Sequence, residues 1–155
     1  MTLSSQDDVR LPGGVEVGGR LPSVTLDVTY ARVATLVGGT WDVFPGHHDP
    51  QYAIQQGNRD IYLNTMVLSG FLDRVVLDWA GPTSFIRRRT MRMSDSVYPG
   101  QQLVSEATVL GAQRADDGLL DVRVGVVCST ASGPAVSGEV TVRIRGDKRP
   151  VQHDS

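Results

Sequence analysis

The chain has 155 residues, of which 40% are hydrophobic and 21% charged, and its formal net charge is −2. That length supports one domain with one core, and the near-neutral balance excludes a general basic field for nucleic acid or anionic membrane. No apolar run approaches the ~18 residues a transmembrane helix needs, residues 1–8 lack the layout of a secretory signal, and one cysteine, Cys128, excludes an internal disulfide framework. A cytoplasmic location is the expectation.

Residues 1–19 carry two glycine pairs and little periodicity, so they are expected to form a flexible N-terminal tail or a loose edge segment. In residues 21–29, Val24, Leu26 and Val28 alternate with polar neighbours, the pattern of a half-buried strand. Tyr30, Val33, Ala34 and Val37 then recur at helical spacing, and Gly38-Gly39 is read as the stop. Residues 61–79 hold the strongest helix. Met66, Val67, Phe71, Leu72, Val75 and Val76 leave few polar faces, so this helix is expected to be largely buried, with Gly81-Pro82 ending it.

Four strands are predicted after it, at 84–93, 102–111, 119–129 and 136–145, divided by turn-forming residues. The alternation is clearest in Val122, Val124, Val126 and Cys128, which makes the cysteine a core residue. One long buried helix followed by successive antiparallel strands gives an α+β domain with its sheet around the helix. The domain is expected to span 20–146. Residues 147–155, with His153, read as a disordered tail.

The chemistry concentrates in residues 41–50, W-D-V-F-P-G-H-H-D-P. His47 and His48 follow Asp42 by five and six residues, with a Pro-Gly turn between. A carboxylate and an imidazole held by such a turn can share one water and move its proton near pH 7. Adjacent histidines rarely converge on one ion, so a metal site is not expected. There is no glycine-rich phosphate loop. Arg87, Arg88, Arg89 and Arg92 form a basic run on a predicted strand, and alternation would put Arg87 and Arg89 on one face. They are either solvated or contacts for phosphates, which suit arginine geometry.

Residues 42–53, D-V-F-P-G-H-H-D-P-Q-Y-A, resemble the signature D-x-N-P-x-H-x-D-P-x-x-A of the MaoC-like (R)-specific enoyl-thioester hydratases and dehydratases. Phe44 stands where that family has Asn, and Gly46 where it has an aliphatic residue. Residues 64–82 look like the family's central helix, with Gly70 as its glycine and Ser69 in place of the preceding His.

The resemblance implies a hotdog fold, an antiparallel sheet wrapped around a long central helix. It also implies reversible hydration of a trans-2-enoyl thioester to an (R)-3-hydroxyacyl thioester. Asp42 and His47 would hold the water, and the Gly70 N–H would receive the thioester oxygen. Phe44, His48, Asn64, Ser69, Arg87 and Arg89 would line the substrate site. The acyl carrier would be coenzyme A or an acyl carrier protein, with no metal or redox cofactor. The partner would be a second copy or a homologous hotdog subunit. The segment D-W-A-G-P resembles members acting on bulky steroid or polyketide-type thioesters, some within heteromeric pairs. A hotdog thioesterase and a non-catalytic acyl-binding subunit are the alternatives.

Overall fold

The computed structural model describes residues 11–145; the expectations for 1–10, for 147–155 and for His153 lie outside the described residues. Five strands and three α-helices follow in the order β1 (Thr25–Asp27), α1 (Tyr30–Thr40), α2 (Pro50–Gln55), α3 (Thr65–Ala80), β2 (Phe85–Met93), β3 (Gln102–Arg114), β4 (Leu120–Thr130) and β5 (Gly133–Ile144). The strands form one antiparallel sheet in the order β1-β3-β4-β5-β2. β2 therefore returns to the far edge, beside β5.

The helix α3 lies across this sheet and touches β2, β3, β4 and β5. Leu68, Phe71, Leu72, Val75 and Val76 form its buried stripe. They meet Val122, Val124, Val126 and Cys128 of β4 and Val140, Val142 and Ile144 of β5 in one core. Each such side chain stabilises the fold by roughly 2 kcal/mol on full burial. The period-2 pattern of β4 is thus the inner face of the sheet. Burial also pushes the Cys128 thiol up to about 12. In native buffer at pH 8 it is expected to resist a maleimide and to react only on unfolding; stoichiometric labelling of the folded chain would contradict this.

Three elements differ from their sequence expectations. Residues 11–19 are not a free tail where they are described. Leu11 is in the core, Pro12 C=O accepts from Trp79 Nε1 at 2.9 Å, and the Gly18 N–H donates to Val109 O at 2.8 Å. Helix α1 runs through Gly38-Gly39 to Thr40 and ends on Trp41, which takes the left-handed conformation at φ 59°. Glycine permits a helix end without requiring one. The last turn is held instead by the Thr40 hydroxyl, which donates to Leu36 O and accepts from Asn64 Nδ2. Finally, α3 begins at Thr65 and not at 61. Asn64 caps it, and the preceding Leu63 N–H is drawn away to Val97 O. Among the described residues no helix is long and apolar enough to cross a membrane.

Candidate active site

The left-handed Trp41 turns the chain out of α1 and delivers Asp42. A 3-10 turn at Pro45–His47 follows, with the His48 and Asp49 N–H groups both directed to Pro45 O. Successive side chains of such a turn point about 120° apart, so His47 is buried and His48 is exposed. Asp49 and Pro50 then start α2: the Asp49 carboxylate accepts from the N–H of Gln51 and Tyr52, and Pro50 occupies the first helical position. The Asp-Pro pair is therefore a helix start that braces the turn from behind.

The two expected reactive groups do meet. His47 Nε2 lies 3.5 Å from Asp42 Oδ2. The other ring nitrogen, Nδ1, is 2.8 Å from Tyr62 O. A carbonyl only accepts, so Nδ1 carries the proton and Nε2 of the neutral ring presents a lone pair to the carboxylate. Two acceptors cannot bond each other directly. A water that donates one O–H to each satisfies both, which is the arrangement required of a nucleophilic water. The other Asp42 oxygen accepts from the Phe44 N–H at 3.4 Å. Backbone thus anchors the carboxylate at the position where the resembling family has an asparagine side chain.

Tyr62 is a site residue that sequence reasoning missed. Its carbonyl orients His47, and its ring meets the imidazole edge-on at 4.8 Å between centroids. Burial first, then the charges of Tyr98, Tyr52 and Asp42, push its phenol upward and keep it a proton donor. Phe44 also packs edge-on against His47, at 5.5 Å. A Cβ at Gly46 would stand 2.8 Å from the Phe44 ring and 2.9 Å from the Tyr62 hydroxyl. Glycine at 46 is what lets both stiff rings close on the imidazole.

A cleft of about 340 Å³ opens beside His47, lined by His47, Tyr62, Leu63, Thr65, Leu68 and residues 93–96. The start of α3 faces it. Asn64 Oδ1 caps the Val67 N–H and Asn64 O takes the Leu68 N–H, which leaves Thr65 and Met66 as the open donors of the first turn. An anionic oxygen in the cleft has these donors and the positive end of the helix to meet. Asn before an apolar periodic run is a helix-start signal, and it would have pointed to Thr65.

Other expected site residues have different occupations. Gly70 is the sixth residue of α3, so its N–H is committed to Met66 C=O, and the residue faces outward. It does not serve as an oxyanion donor. A Cβ there meets nothing within 4 Å; Gly70→Ala is expected to keep wild-type turnover and to raise the melting temperature, by the ~1 kcal/mol that alanine gains over glycine in a helix. A steep loss of turnover would return Gly70 to the site. Asn64 is buried with both ends of its amide used, on Val67 N and Thr40 Oγ1. Ser69 is buried and donates to Met66 O within the helix. His48 is turned away, within 3.2 Å of Val43 O.

The arginines also separate. A bulge between Ile86 and Arg88 breaks the alternation. Arg89 turns to α3 and pairs with Asp73, whose carboxyl burial raises against the lowering effect of that arginine. Arg87 stays near enough to Asp121 to help hold that carboxyl down, after the stronger hydrogen bond from Arg143. Neither lines the cleft. Among the described residues no group of three or more His, Cys, Asp and Glu side chains converges as metal ligands would.

An antiparallel sheet packed across one long helix, with an acid–base pair presented beside the start of that helix, is a hotdog fold with a candidate hydration site. The chain belongs to the MaoC-like family of hydratases and dehydratases, whose MaoC like domain matches residues 17–131. It is 30% identical over 129 residues to the 3-oxo-4,17-pregnadiene-20-carboxyl-CoA hydratase beta subunit of Mycobacterium tuberculosis, over 83% of this chain and 96% of that one. The ChsH1-ChsH2 complex from the same organism superposes with a TM-score of 0.74 at 28% identity, over 84% of this chain and 98% of that chain. The (R)-hydratase from A. caviae superposes at 0.73 and 21% identity, over 85% and 98%, a likeness of fold.

Proposed function

We propose that the chain adds water reversibly to a trans-2-enoyl thioester to form the (R)-3-hydroxyacyl thioester, in a cytoplasmic setting. The observation that carries this is the Asp42–His47 pair, with Nδ1 pinned to Tyr62 O and Nε2 open to a shared water. The water oxygen bonds to C3 while one member of the pair takes its proton. The double-bond electrons move into a thioester enolate, and the pair delivers a proton to C2, ending with the proton count it began with. The enolate oxygen meets the open N–H of Thr65 at the helix start, where one such donor is worth ~3 kcal/mol in the barrier. This proton chemistry needs no metal or redox cofactor.

The acyl group is proposed to be bulky and apolar, carried on coenzyme A. The relative's name supports this, and so do the apolar side chains exposed around the site. Trp41, 83% exposed, stands with Val43, Phe44, Met66 and Met93 beside the dyad and the helix start. The same exposed rim supports a second hotdog subunit completing the pocket. The test is loss of the conjugated enoyl absorbance across coenzyme A thioesters from crotonyl to steroid side-chain size. It uses the assembly recovered through a tagged copy of this chain. The expected result is preference for the large members; no loss with any of them would overturn the reading.

A further inference from the structure

The residue that ends α1 reaches the residue that caps α3. Thr40 Oγ1 accepts from Asn64 Nδ2 at 2.6 Å and donates to Leu36 O at 2.7 Å. Asn64 is buried, and its Oδ1 accepts from the Val67 N–H at 2.8 Å. Thr40 stands two residues before Asp42, and Asn64 one residue before Thr65. One buried amide therefore joins the chain leading to the carboxylate with the chain leading to the open N–H of the helix start.

The carboxylate's side of that link is soft. The buried residues of α1 are Val33 and Val37, and its last turn is Gly38-Gly39-Thr40. A Cβ at either glycine would meet nothing within 4 Å, so no neighbouring element packs closely on this turn. Glycine also opposes a helix more than any residue but proline. Trp41 follows, exposed and left-handed. Among the described residues, the hydrogen bonds of residues 42–46 all stay within 42–49. His47 has its own tie, to Tyr62 O; Asp42 has only the end of α1 behind it.

An enoyl thioester is conjugated and stiff from its carbonyl oxygen to C3. The substrate therefore dictates the distance between the water held by Asp42 and His47 and the N–H that meets the oxygen. A misplacement of ~1 Å can cost on the order of 100-fold in rate. We infer that Thr40 is a positioning residue: its hydroxyl latches the soft end of α1 to Asn64 and sets Asp42 in register with the Thr65 N–H, a role that rests on the hydration reading above. Thr40 itself touches no reacting atom.

The test uses the assembly recovered through this chain. Thr40→Val keeps the side chain's shape and loses both hydrogen bonds. Its kcat per folded molecule is expected to fall by on the order of 10-fold, with KM less affected, and Thr40→Ser is expected to restore it. Gly38→Ala/Gly39→Ala stiffens the turn by another route. It should leave wild-type turnover unchanged and recover part of the loss when added to Thr40→Val. The loss should also shrink in a Thr65→Pro background, where the N–H to be aligned is absent.

Amide hydrogen exchange reads the latch without substrate. Thr40→Val is expected to speed exchange by about 10-fold both at the end of α1 and at Val67, the scale of one lost hydrogen bond, with Val124 of β4 unchanged. A Thr40→Val chain that melts earlier yet keeps wild-type kcat, or a loss undiminished beside Thr65→Pro, would overturn the positioning role. So would exchange that changes at one end of the latch alone. Exchange shifts at both ends in an assembly that hydrates no thioester would overturn the hydration reading and leave the latch standing.

Discussion

Asp42→Asn and His47→Ala are each expected to lower enoyl-thioester turnover by at least ~100-fold per folded molecule, the range of positioned acid–base groups. The two losses should not add, because each variant breaks the same water site. His48→Ala should cost little, since that ring is exposed and turned toward Val43 O. His47→Ala also removes a buried ring and its bond to Tyr62 O, so its melting temperature will fall. His47→Gln fills most of that space and retains an N–H for the carbonyl. It should therefore recover stability while remaining inactive. A dead His48→Ala beside an active His47→Ala would reverse the assignment of the turn.

Thr65→Pro is expected to lower turnover by ~10²–10³-fold, the cost of one oxyanion donor, with KM less affected because the interaction grows in the transition state. Proline removes the backbone N–H, together with the threonine hydroxyl, at a position where helices tolerate it. The preceding Asn64 already sits at φ −80°, ψ 163°, a conformation that precedes proline without strain. Thr65→Ala keeps the N–H and loses only the hydroxyl contact to Met93 Sδ, so it should stay within a few-fold of wild type. Equal effects of the two substitutions would move the oxyanion donor elsewhere.

What the sequence made legible was periodic or covalently close. The alternation at 122–128 became the inner face of β4, and Phe71, Leu72, Val75 and Val76 of the apolar stripe became the buried side of α3, while Met66 stays exposed. The five-residue spacing of Asp42 and His47 works because one Pro-Gly turn spans it, a local matter. The misreadings came where a residue's role depends on distant partners. Asn64 reads as a possible ligand until Thr40, from another helix, takes its amide. Gly70 reads as a donor until the true helix start places it past the first turn. Gly46 and Tyr62 explain each other only once the rings are packed. The face of Arg87 depends on a bulge in β2 that no residue in the run announces.

The account's central claim, water added at C3 by the Asp42–His47 pair, is tested most directly by turnover in water enriched in heavy oxygen. The assembly recovered through this chain is incubated with a trans-2-enoyl coenzyme A thioester, and the product is weighed by mass spectrometry. The account predicts an intact thioester carrying one heavy oxygen as the C3 hydroxyl, of (R) configuration, and none formed when the chain carries Asp42→Asn. Heavy oxygen in a free carboxylate with release of thiol would make the protein a thioesterase. Undiminished hydration by the Asp42→Asn assembly would place the chemistry in another subunit.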